Sequence, residues 1–279
     1  MTGNDAIGSA IGPITRSSFA SDLFMQVMID YKPYLYDHTN VAIPWTPAPK
    51  PKKLRIGVEV WDGYVMPHPP IVRAIKELEA KIKAYKGDVE IEVVPYESYK
   101  PWYAWSIISQ LYYPDAGADD KRAMDAVNEP HCFMTDYIMN HEFVKPLSVT
   151  ELWAKNHERD VFRSEHAEYW HSKNIDVLIC PASPFSAPKP HTTKYWPYTS
   201  HWNLVDYPSI IFPVSEVKET DLPVPDYKPV SPMDEFVYNL YGGPEEYAKS
   251  QVALQLVGFR YQDEKVFAAM SVIEEIQKS

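Results

Sequence analysis

The chain has 279 residues, 45% of them hydrophobic, which is enough apolar material for one sizeable core. Its 27 basic residues are outnumbered by 38 acidic ones, and a formal charge of -11 leaves no basic surplus to attract a nucleic acid. Two cysteines, Cys132 and Cys180, exclude a disulfide framework and, with no Asn-x-Ser/Thr acceptor, suit a cytoplasmic protein; no apolar run is long enough for a membrane span, and neither a signal peptide nor a span is expected.

Near the start, "RSSFASDLFMQVMIDY" spaces Phe19, Leu23 and Val27 four apart, with Ser17 or Ser18 as N-cap and Pro33 as the stop, which predicts a surface helix. "LRIGVEV" alternates Leu54, Ile56, Val58 and Val60 with Arg55, Gly57 and Glu59 and predicts a strand. In "PPIVRAIKELEAKIKAYKG", Ile71, Ile75, Leu78 and Ile82 share one helical face and Gly87 is the expected close. "DVEIEVVPY" alternates again. Residues 54 to 96 therefore predict a right-handed β-α-β unit with parallel strands.

The aromatic-rich region from about 100 to 146 reads as mostly helical, and "TELWAKNHERDVFRSEHAEYWHSKN" as a helix. "IDVLICP", "SIIFPV" and "VALQLVG" are short apolar runs expected to be strands buried on both faces. The chain closes on a helix with Asp263 and Glu264 in its first turn and Val266, Met270 and Ile273 on its buried stripe. Proline, 26 residues, clusters in "PWTPAPKPK", "CPASPFSAPKPH" and "DLPVPDYKPVSP", expected to be extended loops within one domain.

Motifs for chemistry are sparse. "HERDV" lacks the second histidine of a zinc-protease helix, and His166 and His171, five apart, diverge around a helix of about 3.6 residues per turn. His131 beside Cys132 is no catalytic pair, since adjacent side chains seldom converge, and Cys180 reads as a small buried hydrophobe. Ser9 reads as a loop residue and Ser17 and Ser18 as helix caps, and no glycine-rich phosphate loop is present. The most informative stretch is "YTSHWNLVDYPSIIFPV", where Tyr198, Thr199, Ser200, His201, Trp202 and Asn203 gather aromatic and hydrogen-bonding groups just before a core strand. It is either a pocket lining or a packed connector.

"GPITRSSFASDLFM", "PWTPAPKPKKLRIGV", "ICPAS", "YTSHWNLVDYPSIIFPVSEV" and "VALQLVGFRYQDEKVFAAMSVIEEI" together resemble, in order and spacing, the second half of the amidase-signature hydrolases, in their fungal acetamidase branch. The resemblance runs from about residue 7 to 276 and implies an α/β fold, a mainly parallel twisted sheet flanked by helices, within a single partial domain over 1–279. It implies amide hydrolysis by a Ser-Ser-Lys triad whose lysine is kept neutral by burial. No residue here matches the Gly/Ser-rich stretch that carries those serines, so no catalytic residue is assigned and the chain alone is expected to be inactive. By the same resemblance Tyr198, Thr199, Trp202 and Asn203 border the acyl pocket, no cofactor is needed, and a small amide binds only when the N-terminal half is supplied. The alternatives are a non-catalytic binding module, or a subunit that complements a separate N-terminal half. Uncovered core surface is expected to drive self-association.

Overall fold

The computed structural model describes residues 3–278, which contain five strands and nine α-helices. In chain order they are α1 (Ser18–Asp30), β1 (Lys53–Val58), α2 (Pro69–Ala84), β2 (Glu90–Pro95), α3 (Pro101–Tyr112), α4 (Ala118–Ala126), α5 (Phe133–Met139), α6 (Val149–Lys173), β3 (Val177–Pro181), α7 (Pro197–Val205), β4 (Ser209–Glu216), α8 (Pro232–Asn239), β5 (Gln251–Gly258) and α9 (Asp263–Lys278).

The strands form one sheet in the order β2-β1-β3-β5-β4. β1 pairs in parallel with β2 and with β3, with Ile56 opposite Val93 and Val177, and so forms the expected β-α-β unit. β5 is antiparallel to both its neighbours, so four strands run one way and one runs against them. The mainly parallel direction is as expected. A short connection joins β5 to α9, which packs on the same face of the sheet as α2.

Helices cover both faces. Ile71, Ile75, Leu78 and Ile82 of α2 and Val266, Met270 and Ile273 of α9 pack on Leu54, Ile56, Ile179 and Leu256. On the opposite face, Ile107 and Ile108 of α3, Phe162 and Trp170 of α6 and Trp202 of α7 pack on Leu178, Cys180 and Val257. This three-layer arrangement also covers the alternate positions of β1. A side chain at Gly57 would meet Ile175 Cδ1 at 2.9 Å, and Glu59, just past β1, is buried.

Two further expectations change. β4 is an edge strand, not one buried on both faces: Ile211 is 58% exposed and Pro213, which lacks an N–H, sits where no outer neighbour needs one. α2 stops at Ala84, short of Gly87, which does not take the left-handed conformation of a closing glycine. α6 opens on a capping box in which Ser148 and Glu151 satisfy each other's backbone N–H. α1 forms with Ser17 as its cap, as expected, and none of its residues is buried; Phe19 is 72% exposed.

Candidate functional site

Because β1, β2, β3 and β4 point the same way, the segments that follow them all emerge at one edge of the sheet. This is the carboxyl edge, where open α/β sheets form their ligand crevices. From these segments come Val65, Phe185, Tyr195, Tyr198 and Val237, which form one buried apolar cluster, with Tyr64, Trp102, Met233 and Phe236 half-buried against it. Tyr64 stacks on Trp102 at 4.3 Å between ring centroids and lies 6.3 Å from Tyr195, so the half-buried Tyr64 and Trp102, backed by the buried Tyr195, form an aromatic wall.

Polar side chains hold the wall in place. The Asp62 carboxylate accepts from the backbone N–H groups of Tyr64 and Val65, each at 2.9 Å, and from the Tyr195 hydroxyl. Burial raises the Asp62 carboxyl above its ordinary range, an effect opposed by the Tyr195 hydrogen bond. The Tyr198 hydroxyl donates to the Val65 carbonyl at 2.7 Å and accepts from Asp62 N at 3.1 Å. Asp234, at the start of α8, accepts from the N–H groups of Met66 and Val230 and from the Tyr227 hydroxyl, while Ser231 donates to the Tyr64 carbonyl. Gln255 of β5 donates to the carbonyls of Pro181 and Tyr198 and so fixes α7 to the sheet. On the flank, the Lys194 ammonium lies over three rings, those of Phe133, Tyr137 and Phe236.

The stretch singled out in the sequence is a helix, α7, started by Pro197 at its first turn and closed by Asp206 in a left-handed conformation. At about 100° per residue, its four candidates divide into two i,i+4 pairs. Tyr198 and Trp202 are buried, the first under the aromatic wall and the second beside His166, Tyr207 and the Cys180 thiol. Thr199 and Asn203 are exposed, and Asn203 accepts from the Tyr112 hydroxyl at 3.0 Å. The structure therefore brings the four onto one helix but not onto one surface.

The other sequence candidates remain apart. His131 contacts Asp136 and Asp125, and Cys132 is exposed. Burial pushes the Cys180 thiol well up. Ser17 caps α1 by accepting from Ala20 N at 3.2 Å. No lysine among the described residues is buried, and neither is there a group of three His, Cys, Asp or Glu placed to hold a metal. No described helix is long and apolar enough to cross a membrane.

Sequence reasoning missed Tyr64, Trp102, Tyr195, Phe236, Asp62, Asp234 and Gln255. A lone glutamine inside the apolar "VALQLVG" and the Ser-Pro-x-Asp start of α8 were the available signals.

The amidase family model matches residues 1–267. The chain belongs to the amidase family. An amidase-family protein of Schizosaccharomyces pombe is 35% identical over 274 residues, 98% of this chain and 51% of its own length. The acetamidase of Emericella nidulans is 31% identical over 293 aligned residues, covering 100% of this chain and 52% of its own length. A solved fatty acid amide hydrolase superposes with a TM-score of 0.89 at 26% identity, over 99% of this chain and 49% of that one. This amidase-family chain thus spans about half the length of the curated relatives it matches.

Proposed function

We propose that this chain is the C-terminal half of a carboxylic amide hydrolase and forms the acyl side of its substrate pocket. The Ser-Ser-Lys triad then belongs to amidase polypeptide that precedes this half in its relatives. The observation that carries the reading is the superposition of nearly the whole chain on half of a fatty acid amide hydrolase. The aromatic wall at the carboxyl edge supports it, since an uncharged acyl group needs apolar walls rather than ionic clamps.

A triad lysine must be desolvated to act as a base at neutral pH, and the lysines described here are all solvated to some degree. On this reading the chain alone is inactive, no cofactor takes part, and the reaction belongs in the cytoplasm. Thr199 and Asn203, on the open face of α7, border the substrate, while Tyr198 and Trp202 position that face from beneath. The uncovered α1 favours a complementing subunit over an independent binding module, because Phe19, Leu23 and Val27 want a partner surface.

The test supplies the missing portion. Co-production with the first half of the Schizosaccharomyces pombe relative is expected to give turnover of small aliphatic amides, with a fluorophosphonate probe labelling a serine of the added portion. Turnover by this chain alone, lost on replacing one of its own serines, overturns the reading.

A further inference from the structure

A cavity of about 670 Å³ lies between α2 and the segment that runs from β4 to the end of α8, and neither Tyr64, Trp102 nor Tyr195 of the aromatic wall lines it. Its volume falls within the roughly 300–1,000 Å³ common for small-molecule sites. Val72, Leu222, Val224, Tyr238 and Tyr241 supply much of its lining. Leu222 and Val224 are 62% and 48% exposed at its rim, an apolar surface left to water.

Apart from the exposed Thr220 hydroxyl, the polar groups around the cavity are occupied, with one cation left over. His68 accepts at Nδ1 from Ser186 N at 3.1 Å and donates from Nε2 to the Val237 carbonyl at 3.0 Å, so it is a neutral part of the wall. The hydroxyls of Tyr227, Tyr238 and Tyr241 donate to Asp234, the Val224 carbonyl and the Asp221 carbonyl, and since Tyr227 stacks on Tyr238 at 4.6 Å and Tyr241 on Tyr247 at 5.2 Å, the rings offer a ligand their edges and outer faces. Asp221 is held by two nitrogens of Arg73, at 2.6 and 3.0 Å, and by Lys218 N at 2.8 Å. Glu77 receives Arg73 and the Lys218 ammonium, both at 2.9 Å. Lys76, exposed on α2 at the lining, has no hydrogen bond or ion pair among the described residues.

An apolar cleft with an uncompensated ammonium at its mouth complements an apolar chain with an anionic head. We propose that this cavity binds a medium-chain fatty acid, with its carboxylate on Lys76 and its chain against Val72, Leu222, Val224 and the rings of Tyr238 and Tyr241. The site is separate from the acyl pocket proposed above and does not depend on amide hydrolysis by this chain.

Calorimetric titration of the full chain with sodium octanoate tests this, with octan-1-ol as the uncharged counterpart. Saturable one-to-one binding of octanoate is expected, at least about fivefold tighter than that of octanol. Lys76→Ala should remove that advantage without changing octanol binding. Ala80→Trp, at another exposed lining position on α2, should fill the cleft and abolish both. Trp102→Ala, in the aromatic wall, should change neither. The proposal fails if octanoate uptake does not saturate, if octanol binds as tightly, if either α2 variant binds octanoate like the parent, or if Trp102→Ala removes binding. Thermal melts of the two α2 variants, whose changed side chains are solvent-exposed, confirm that losses are local.

Discussion

The hydroxyl of Tyr198 and the backbone N–H of Asp62, 136 residues apart in sequence, meet at 3.1 Å, and the same hydroxyl donates to the Val65 carbonyl at 2.7 Å. One buried side chain of α7 thereby pins both ends of the turn that presents Tyr64. Tyr198→Phe keeps the ring and leaves a buried N–H and carbonyl unpaired, a cost of about 1–3 kcal/mol. Urea unfolding should show that loss, whereas Tyr261→Phe, at an exposed ring, should leave the midpoint unchanged. Equal midpoints for both variants would remove the pin from the account.

The two pairs on α7 predict opposite phenotypes. Trp202→Ala opens a cavity in the core beneath the helix and should cost about 3–5 kcal/mol. Thr199→Trp, on the open face, should change stability by less than about 0.5 kcal/mol. In protein complemented with the N-terminal half, it should shift kcat/KM among acyl lengths by about tenfold. Unchanged acyl preference in that variant would take α7 away from the substrate.

His201 and His166 lie 5.0 Å apart, ring to ring, both buried and without a carboxylate partner. Burial lowers His201 from 6.5 to about 4 and lowers His166 well below its usual value, with His201 adding repulsion. Depressed histidines stay neutral in the folded state while the unfolded chain takes up protons. Their contribution is therefore complete above about pH 6.5 and declines as pH falls towards 4. For His201 the loss is about 3 kcal/mol across that window. Glu59 works in the other direction: its carboxyl, raised well above 4.5 by burial, costs stability as pH rises. The comparison is therefore parent against His201→Leu, whose unfolding midpoints should converge towards pH 4. A constant difference between pH 7 and 4 would contradict the assignment.

Self-association should depend on α1. Phe19, Leu23 and Val27 occupy one exposed stripe, and replacing Leu23 by Glu puts a charge in its middle. Light scattering is expected to show parent oligomers and a smaller species for Leu23→Glu, which keeps a cooperative melt because no residue of α1 is buried within the chain. A monomeric parent would show that this stripe tolerates water.

Local periodicity was sufficient for most elements. The alternation in β1 and β2, the stripes of α2 and α9 and the long helix α6 follow from side-chain directions repeating every two residues or every 3.6 or so. Those patterns depend only on nearby residues, so the β-α-β unit and the α/β class were legible in the sequence, and the five ordered motifs carried the family. Other features depend on neighbours far along the chain. The burial of Glu59 and the crowding of Gly57 by Ile175 and Leu178 are set by residues more than 100 positions on, and "SIIFPV" looks central until the order β3-β5-β4 leaves it at the edge. Proline-rich spacing hid α7 and α8, because a proline at a helix's first turn looks locally like the proline of a loop. The aromatic wall was the least legible part. Tyr64, Trp102, Tyr195 and Phe236 come from segments following four different strands, and only the shared direction of those strands brings the rings together.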